Sequence, residues 1–359
     1  MYNNYFLSKT LEIRKIGTNY CLYRSSDRTA WMPELAKYEE FWNALEIFSN
    51  ENISAKDIEQ IEQDENLKYV VDTLIENNIF QKKLDITDFE KLNYSNYNNE
   101  SYAYHLSSSR IDWTNYSDKD SIKKNDLDEM DSYTSEEEIP SSYKKYTNSI
   151  PKYYLEDFVK INLENNSNNI FFGKSENKIP KAIDIDDINL LINNSAKSYT
   201  HIEMYATGKH LRKNVPSGGA RHPIEFYVLA IDIQGLEKGL YHYNVKFHRL
   251  DEIKITEEQL QNLTETVNII PRGREKKLTA SIIHTCIFKR SMFRYREPRS
   301  YRVMHYDLGH IHANEILISN ILGLDYCETY SIPENSVESI LGIDGFEEAA
   351  MSAFNLYGV

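Results

Sequence analysis

A short glycine-containing turn carries the clearest chemical potential in this sequence. Pro216, Ser217, Gly218 and Gly219 lie shortly before an apolar run that begins at Ile224. Glycine has no Cβ, so the backbone can approach a flat ligand closely and its N–H groups can donate to the ligand's edge. The Ser217 hydroxyl adds a further hydrogen-bonding group. This glycine turn (residues 216–219) predicts a floor for a planar ligand, although a tight structural turn can have the same composition.

A basic and aromatic segment (residues 289–302) stands out from an otherwise acidic chain. Its centre, Arg294-Tyr295, places a guanidinium beside a phenol. A phenol can donate or accept a proton, whereas a guanidinium effectively keeps its own. Such a stretch suits an anionic, aromatic cofactor or a peptide groove. Asp307-Leu308-Gly309-His310 follows and opens a predicted helix.

Several familiar site motifs are missing from the sequence. GxGxxG and GxxxxGK[ST] do not occur, which excludes a Rossmann dinucleotide site and a P-loop. HExxH and GxSxG do not occur either. His310 and His312 lie two apart on a predicted helix and point to different faces. Cys21, Cys286 and Cys327 form no CxxC pair. We therefore predict no metal site.

The bulk properties limit the partners and the compartment. The chain has 359 residues and a formal net charge of −14. An acidic chain repels phosphate backbones, so nucleic acid is not expected as a partner. Apolar stretches are too short for a membrane span, and no basic stretch with an apolar run follows Met1. Few cysteines are typical of a reducing compartment. We expect a cytoplasmic protein without membrane contact.

Residues 1–90 predict a small domain of the winged-helix type. Alternating residues over 5–25 indicate two strands joined at Gly17-Thr18-Asn19. Helical spacings follow, with Ser54 as the expected N-cap of the second helix, and Ile79-Phe80 would form a last strand. This order is similar to that of the leader-recognition domains of peptide-modifying enzymes. A dimerisation or packing domain fits the pattern equally well.

The composition changes over residues 91–148. Ser, Asn, Asp, Tyr and Lys dominate there, and apolar residues become rare. Such a composition is typical of a linker or a long surface insertion. Its tyrosines exceed what a linker needs and would suit packing on a partner surface.

Residues 149–359 predict a globular domain in which helices and strands alternate. Helices are expected near 185–191 and 306–322, and strands near 224–233, 278–288 and 350–359. Residues 239–243 and 247–250 indicate a hairpin. We expect the α+β class, with one central sheet flanked by helices.

The succession of these motifs resembles the SagB-type dehydrogenases, the flavin-dependent thiazoline and oxazoline dehydrogenases of the nitroreductase fold. The resemblance covers roughly residues 140–359. It runs from Tyr143-Lys144-Lys145-Tyr146 through the glycine turn, the hairpin, the Arg-Tyr segment and Asp307-x-Gly-His to Leu341-Gly342-Ile343-Asp344. Each motif is common by itself, and their shared order makes the resemblance specific.

The resemblance implies FMN at a homodimer interface, with the glycine turn beneath the isoalloxazine. It also implies a Lys-Tyr pair that helps to remove a proton from the azoline while a hydride passes to the flavin. At the matching positions this chain has Arg294 and Tyr295. Arginine cannot serve as a general base, so the resemblance leaves acid–base work to Tyr295 and an orienting or charge-stabilising role to Arg294.

The flavin phosphate in the family is held by an Arg-Arg-Ser-x-Arg stretch. This chain has Lys174 and Ser175 at the matching place, followed by Glu176, which would repel a phosphate. Lysine can bind a phosphate as a point charge and serine by a hydrogen bond. Arg212 and Arg302 are the residues we expect to compensate for the missing arginines.

Three functions remain open at this point. The first is an azoline dehydrogenase that works beside cyclodehydratase subunits on a precursor peptide. The second is a nitroreductase-fold oxidoreductase with other chemistry on a modified peptide, such as reduction of a dehydrated residue. The third is a scaffold subunit that has lost catalysis.

Overall fold

The chain divides into two compact units, Met1–Thr114 and Asn115–Val359. The computed structural model describes residues 2, 5–7, 11–16, 19–24, 29–31, 37–49, 53–77, 79–82, 101, 104–105, 108–109, 119–146, 149–157, 181–268 and 277–358. Within these ranges, no helix combines the length and the apolar character needed to cross a membrane.

Among its described residues, the first unit contains three helices of nine residues or more and two small antiparallel sheets. Its elements in chain order are β1 (Tyr5–Leu7), β2 (Leu11–Ile16), β3 (Asn19–Arg24), β4 (Thr29–Trp31), α1 (Tyr38–Ser49), α2 (Ala55–Gln63), α3 (Glu65–Glu76) and β5 (Phe80–Lys82). One sheet has the order β2-β3-β4, and the other pairs β1 with β5. The two predicted strands, the three helices and the last strand are therefore present, with β1 and β4 in addition.

Helix caps and one aromatic stack explain the local structure of this unit. Ser54 and Asp57 form a capping box at α2, as the sequence predicts for Ser54, and Asp64 caps α3. Phe48 of α1 stacks on Phe80 of β5 with ring centroids 3.9 Å apart. The helices thus bury their apolar faces against the short strand.

The second unit is built around a seven-stranded sheet. Its elements are α4 (Lys119–Glu136), β6 (Ser149–Tyr154), α5 (Ile185–Ser195), β7 (Ser198–Met204), β8 (Gly208–Lys213), β9 (Ile224–Ala230), β10 (Gly239–Asn244), β11 (Arg249–Ile253), α6 (Glu257–Val267), β12 (Lys277–Ile287), α7 (Phe288–Met292), α8 (Arg299–Leu322), β13 (Asp325–Thr329), α9 (Glu334–Leu341) and β14 (Glu348–Gly358). The sheet order is β13-β14-β12-β9-β10-β11-β6, and β7 and β8 form a separate hairpin.

The strand period of two divides the core of this unit between the two faces of the sheet. Val228 and Ile282 face the layer that contains α5 and α8. Their neighbours Tyr227 and Ile283 belong to the opposite core, with residues of α6 and α9. The expected α+β class, with a central sheet flanked by helices, is confirmed.

The long helix α8 begins at Arg299, earlier than the predicted start at Tyr306. Its first turn carries no apolar stripe, so periodicity alone did not reveal it. Pro298 stands at the N-cap, and Ser300 donates a hydrogen bond to the Glu297 carbonyl at 2.8 Å. Gly323 ends the helix in the left-handed conformation.

Part of the polar segment 91–148 is helical and belongs to the second unit. The boundary between the units falls inside this segment, after Thr114. Among the described side chains of α4, Met130 is the buried one. A helix with so few buried positions among its described side chains leaves almost no hydrophobic period, so the sequence does not predict α4.

Candidate functional site

Asp307 of α8 anchors the glycine turn. Its carboxylate accepts a hydrogen bond from the Ser217 hydroxyl at 2.6 Å and another from the Gly218 amide at 3.1 Å. The Ser217 oxygen in turn accepts from the His222 amide at 2.9 Å. Burial raises the pKa of Asp307, although both hydrogen bonds favour its charged form. The helix therefore holds the turn in a single conformation.

The backbone of the turn adopts conformations that L-residues rarely accept. Gly219 has a φ of 59°, Ala220 a φ of 54° and His222 a φ of 45°. A residue with a Cβ pays roughly 1–2 kcal/mol for the left-handed region. Strain of this kind persists where the surrounding structure enforces it, and it is concentrated at functional sites.

The Tyr295 hydroxyl lies directly against Gly219. A Cβ placed on Gly219 would collide with this hydroxyl and lie 3.0 Å from Cε2 of the same ring. Gly218 makes a similar approach to the Cγ1 atom of Val303 on α8. The structure therefore brings together the glycine turn and the predicted catalytic tyrosine, and the two glycines make that approach possible.

Arg221 is a site residue that the sequence analysis did not select. Its guanidinium is buried, lies 6.0 Å from the centroid of the Tyr295 ring and donates to His210 at 2.9 Å. Burial lowers the pKa of Arg221, and burial together with Arg221 lowers the pKa of His210 to about 4. Within the described residues, the Nε atom of Arg221 has no hydrogen-bond partner. The sequence feature that could have identified Arg221 is its position two residues after the glycine turn.

Arg294 forms an ion pair with Asp126 of α4. The guanidinium also lies 5.4 Å from the centroid of the Tyr295 ring. Its charge is thus partly neutralised by a residue from the segment that the sequence analysis described as a linker or insertion. The pairing supports an orienting role for Arg294 more than the role of an isolated cation.

A second arginine, Arg296, also contacts α4 and the residue that follows it. Arg296 lies 2.9 Å from a carboxylate oxygen of Glu137, and its guanidinium carbon lies 3.7 Å from the centroid of the Tyr133 ring. Cation–π contacts of this type contribute about 0.5–1 kcal/mol at exposed sites. The two arginines on either side of Tyr295 therefore bind α4 near its middle and the residue directly after its end.

The predicted cofactor-binding cations lie in different surroundings. Lys174 and Ser175 lie outside the described residues. Arg212 is exposed on β8 of the two-stranded hairpin. Arg302 lies in the first part of α8, next to Val303, which contacts Gly218. Among these residues, Arg302 is therefore near the turn, because the next residue, Val303, contacts Gly218.

An open cavity of about 610 Å³ adjoins Tyr295. Its lining is mainly apolar and aromatic, with charged groups at intervals. It includes Phe288, Met292, Phe293, Tyr295, Arg296 and Phe346. The Phe346 side chain is 87% exposed. A cavity of this size and composition can receive a ring system or a peptide side chain next to the tyrosine.

A buried ionic network supports the strand that follows the turn. Glu225 of β9 binds Arg290 at 2.5 Å and His242 at 2.6 Å. Although burial disfavours its charge, Arg290 and His242 keep the pKa of Glu225 below its usual range. Lys213 lines a small cavity with Pro216 and Ser217, and burial lowers the pKa of its amine to about 8. These charges form a rigid support beside the turn.

The fold and the site define a nitroreductase-like α+β protein. No protein-family model matches the sequence. The chain is 44% identical to the trifolitoxin-processing protein TfxB of Rhizobium leguminosarum bv. trifolii over 357 residues, which is 98% of this chain and 96% of TfxB. The chain therefore belongs to the family of the trifolitoxin-processing protein TfxB, and the predicted resemblance to the SagB-type family is confirmed.

The chain also has more distant similarities. The microcin B17-processing protein McbC of Escherichia coli is 26% identical over 155 residues, which is 42% of this chain and 56% of McbC. A chain of the E. coli microcin synthetase McbBCD complex, solved with truncated pro-MccB17 bound, is 18% identical with a TM-score of 0.42 over 70% of this chain and 99% of that one. A candidate nitroreductase from Anabaena variabilis is 21% identical with a TM-score of 0.46 over 66% and 46%. The family assignment rests on TfxB.

Proposed function

We propose that this protein is an FMN-dependent dehydrogenase that oxidises thiazoline or oxazoline rings in a ribosomally made peptide to thiazoles or oxazoles. The observation that carries the proposal is the contact between the Tyr295 hydroxyl and Gly219. It brings a group able to transfer a proton to the floor of the turn. Membership of the TfxB family supports a peptide as the substrate.

The residues at the turn fit a flavin. Gly218 and Gly219 present backbone without side chains, and a planar ring can approach such a surface closely. The buried Nε donor of Arg221, which has no hydrogen-bond partner in the described structure, could serve an acceptor of the ring. Arg302, together with Lys174 and Ser175 as the resemblance implies, would hold the phosphate.

Oxidation of an azoline removes two hydrogens, one as a proton and the other as a hydride. When bound, FMN would supply the hydride acceptor, and molecular oxygen would be the final oxidant. The phenol oxygen of Tyr295 would lie beside the azoline carbon that loses its proton, and it would take part in that proton transfer. Arg294 keeps its proton and, paired with Asp126, would orient the Tyr295 ring. The adjoining cavity would receive the heterocycle next to Tyr295.

The proposed partners follow from the same assignment. The chain would act on a precursor peptide beside cyclodehydratase subunits, as a homodimer. The McbBCD synthetase complex, solved with a truncated pro-peptide, supports the precursor peptide and other synthetase subunits as partners. We also propose that the first unit contributes to recognition of the peptide or of a partner subunit.

The test uses the purified full-length protein and a synthetic peptide that contains one thiazoline. We expect a yellow protein that releases about one FMN per chain, and a product that has lost two hydrogens by mass spectrometry. Tyr295→Phe should keep the flavin and lose most turnover. Tyr306→Phe, which alters an exposed tyrosine on α8, is the matched control.

Two results would contradict the proposal in different ways. A product that gains two hydrogens, made from a peptide with a dehydrated residue, would indicate reductive chemistry in the same site. A colourless protein that does not bind added FMN would indicate a scaffold subunit. Full turnover in Tyr295→Phe would remove the tyrosine from the mechanism while leaving the flavin assignment intact.

A further inference from the structure

A group of polar side chains is closed inside the core between α8 and the sheet. His284 lies on β12, His312 and Glu315 lie on α8, and Ser352 lies on β14. His312 is 2% exposed, and the other three are fully buried. Apolar and aromatic neighbours surround the group, among them Phe354, whose ring centroid lies 6.0 Å from that of His312. A polar cluster in such surroundings requires a physical explanation.

The geometry directs one donor atom of each residue toward a shared space. Glu315 Oε1 lies 2.9 Å from His284 Nε2, and Glu315 Oε2 lies 3.4 Å from His312 Nδ1. One ligand atom from each of these three residues can be chosen so that all lie within 4.8 Å of one another. The remaining ring nitrogens contact Ser352 Oγ, His284 Nδ1 at 3.2 Å and His312 Nε2 at 2.8 Å.

Two atoms of this cluster have unmet bonding capacity. His312 Nδ1 and Glu315 Oε2 are buried without a hydrogen-bond partner among the described residues, although they face each other. A single ion placed between these two atoms would bind both of them.

We propose that His284, His312 and Glu315 bind one divalent transition-metal ion, with Zn²⁺ as the expected occupant. Two imidazoles and a carboxylate are an established donor set for Zn²⁺, at ligand distances of about 2.0–2.2 Å. Both oxygens of Glu315 face the space between the imidazoles, so the carboxylate can complete a four-donor site. The ion would also supply the positive charge that the buried carboxylate lacks.

Ser352 has the place of a supporting residue in this site. With His284 bound through Nε2 and His312 through Nδ1, each ring has one N–H left, and both would donate to the Ser352 oxygen. Such partners fix the tautomer and orientation of the ligating histidines, and their loss weakens metal binding by about 10- to 100-fold. The ion would connect α8 to β12 and β14. Asp307, which anchors the glycine turn, lies on the same helix.

The same side chains can also close a neutral ring without metal. Protonated Glu315 would donate to His312, His312 to Ser352, Ser352 to His284, and His284 back to Glu315. Gln in place of Glu315 would preserve this ring, because its amide donates and accepts at the same two places. It would remove the anionic ligand. Glu315→Gln therefore separates the two states of the cluster.

The experiment measures metal content and thermal unfolding of the full chain after removal of metals by a chelator. ZnCl₂ is then added, and bound zinc is quantified by inductively coupled plasma mass spectrometry. We expect one Zn²⁺ per chain and a higher unfolding temperature with zinc in the wild type and in His310→Gln, which changes an exposed histidine of the same helix. Glu315→Gln should lose both effects, and Ser352→Ala should bind about 10- to 100-fold more weakly.

Co²⁺ provides a readout that needs no variant. Its visible absorption bands in the wild-type protein should be those of a four-coordinate site with nitrogen and oxygen ligands. A wild type that binds neither ion, with Glu315→Gln as stable as the wild type, would establish the neutral ring and overturn the proposal. Binding that persists unchanged in Glu315→Gln would place the metal elsewhere and overturn it as well. Neither result depends on flavin content or turnover.

Discussion

The carboxylate of Asp307 accepts a hydrogen bond from the Ser217 hydroxyl at 2.6 Å, across 90 positions of the chain. Together with its bond to the Gly218 amide, this contact joins the long helix α8 to the floor of the candidate site. The conformation of the turn therefore depends on a residue that is distant from it in the sequence.

Replacing Asp307 by Ala should loosen the turn. Two donors would lose their acceptor, and a buried donor left without a partner costs about 1–3 kcal/mol. We expect a lower free energy of unfolding in chemical denaturation and a smaller flavin content in the visible spectrum. Asp186→Ala, which removes an exposed carboxylate on α5, should change neither. Full flavin retention in Asp307→Ala would show that the turn is held by other contacts.

Gly219→Ala should disturb the contact with Tyr295. The new Cβ would collide with the tyrosine hydroxyl, and the φ of 59° is strained for alanine. We expect loss of turnover and of flavin affinity, with destabilisation of roughly 1–2 kcal/mol or more. The control is Gly309→Ala on α8, where a Cβ meets nothing within 4 Å. That change should stabilise the protein by up to about 1 kcal/mol, since alanine favours helices.

The hydroxyl itself can be tested in a double variant. If the collision with the phenol oxygen causes the defect, Gly219→Ala should lose less flavin affinity in a Tyr295→Phe background than in the wild type. Flavin titration followed by fluorescence quenching measures this coupling. Additive effects in the double variant would mean that backbone strain alone causes the loss.

Arg294 should tolerate lysine better than an uncharged residue. Arg294→Lys can keep a salt bridge to Asp126, and its amine can release a proton, as the family pattern implies. We expect its turnover of the thiazoline peptide to equal or exceed that of the wild type, whereas Arg294→Gln should turn over more slowly. The ion pair is partly exposed, so both changes should alter the free energy of unfolding by no more than about 1 kcal/mol. Equal turnover in all three proteins would leave Arg294 without a role in catalysis.

Lys213 should give folding stability a measurable pH dependence. Burial lowers the pKa of its amine in the folded protein to about 8, from 10.5 as the ordinary value. Between these two values the unfolded chain binds the additional proton, so the contribution of Lys213 to stability rises with pH across this window. Below about pH 8 both states are protonated, and the buried charge opposes folding.

The difference between wild type and Lys213→Met isolates this effect. Denaturation at a series of pH values should show that the methionine variant gains most over the wild type below about pH 8, and less as the pH approaches 10.5. Lys209→Met, on an exposed position of the same strand β8, should show a constant difference. A constant difference for Lys213→Met too would mean that the amine is solvated in the folded state.

Local sequence patterns were sufficient for many of the elements and for the turn, but not for α4. Residues 224–230 are apolar except for Glu225 and form a strand buried on both faces. Ser54 and Gly323 mark helix ends through capping geometry that depends only on a few neighbouring residues. The glycine turn was identifiable for the same reason, because Gly218 and Gly219 reflect a backbone requirement at their own positions.

Only the tertiary structure decided which of these residues meet. The Tyr295 hydroxyl reaches Gly219, and Arg294 pairs with Asp126 across 168 positions. His284 and Glu315 approach each other because β12 and α8 pack in the same core. Single side chains carry no periodic signal for such contacts, since strand order and helix packing are set by the sum of many buried apolar surfaces. The sequence by itself thus determined the local parts of the site, and packing determined their combination.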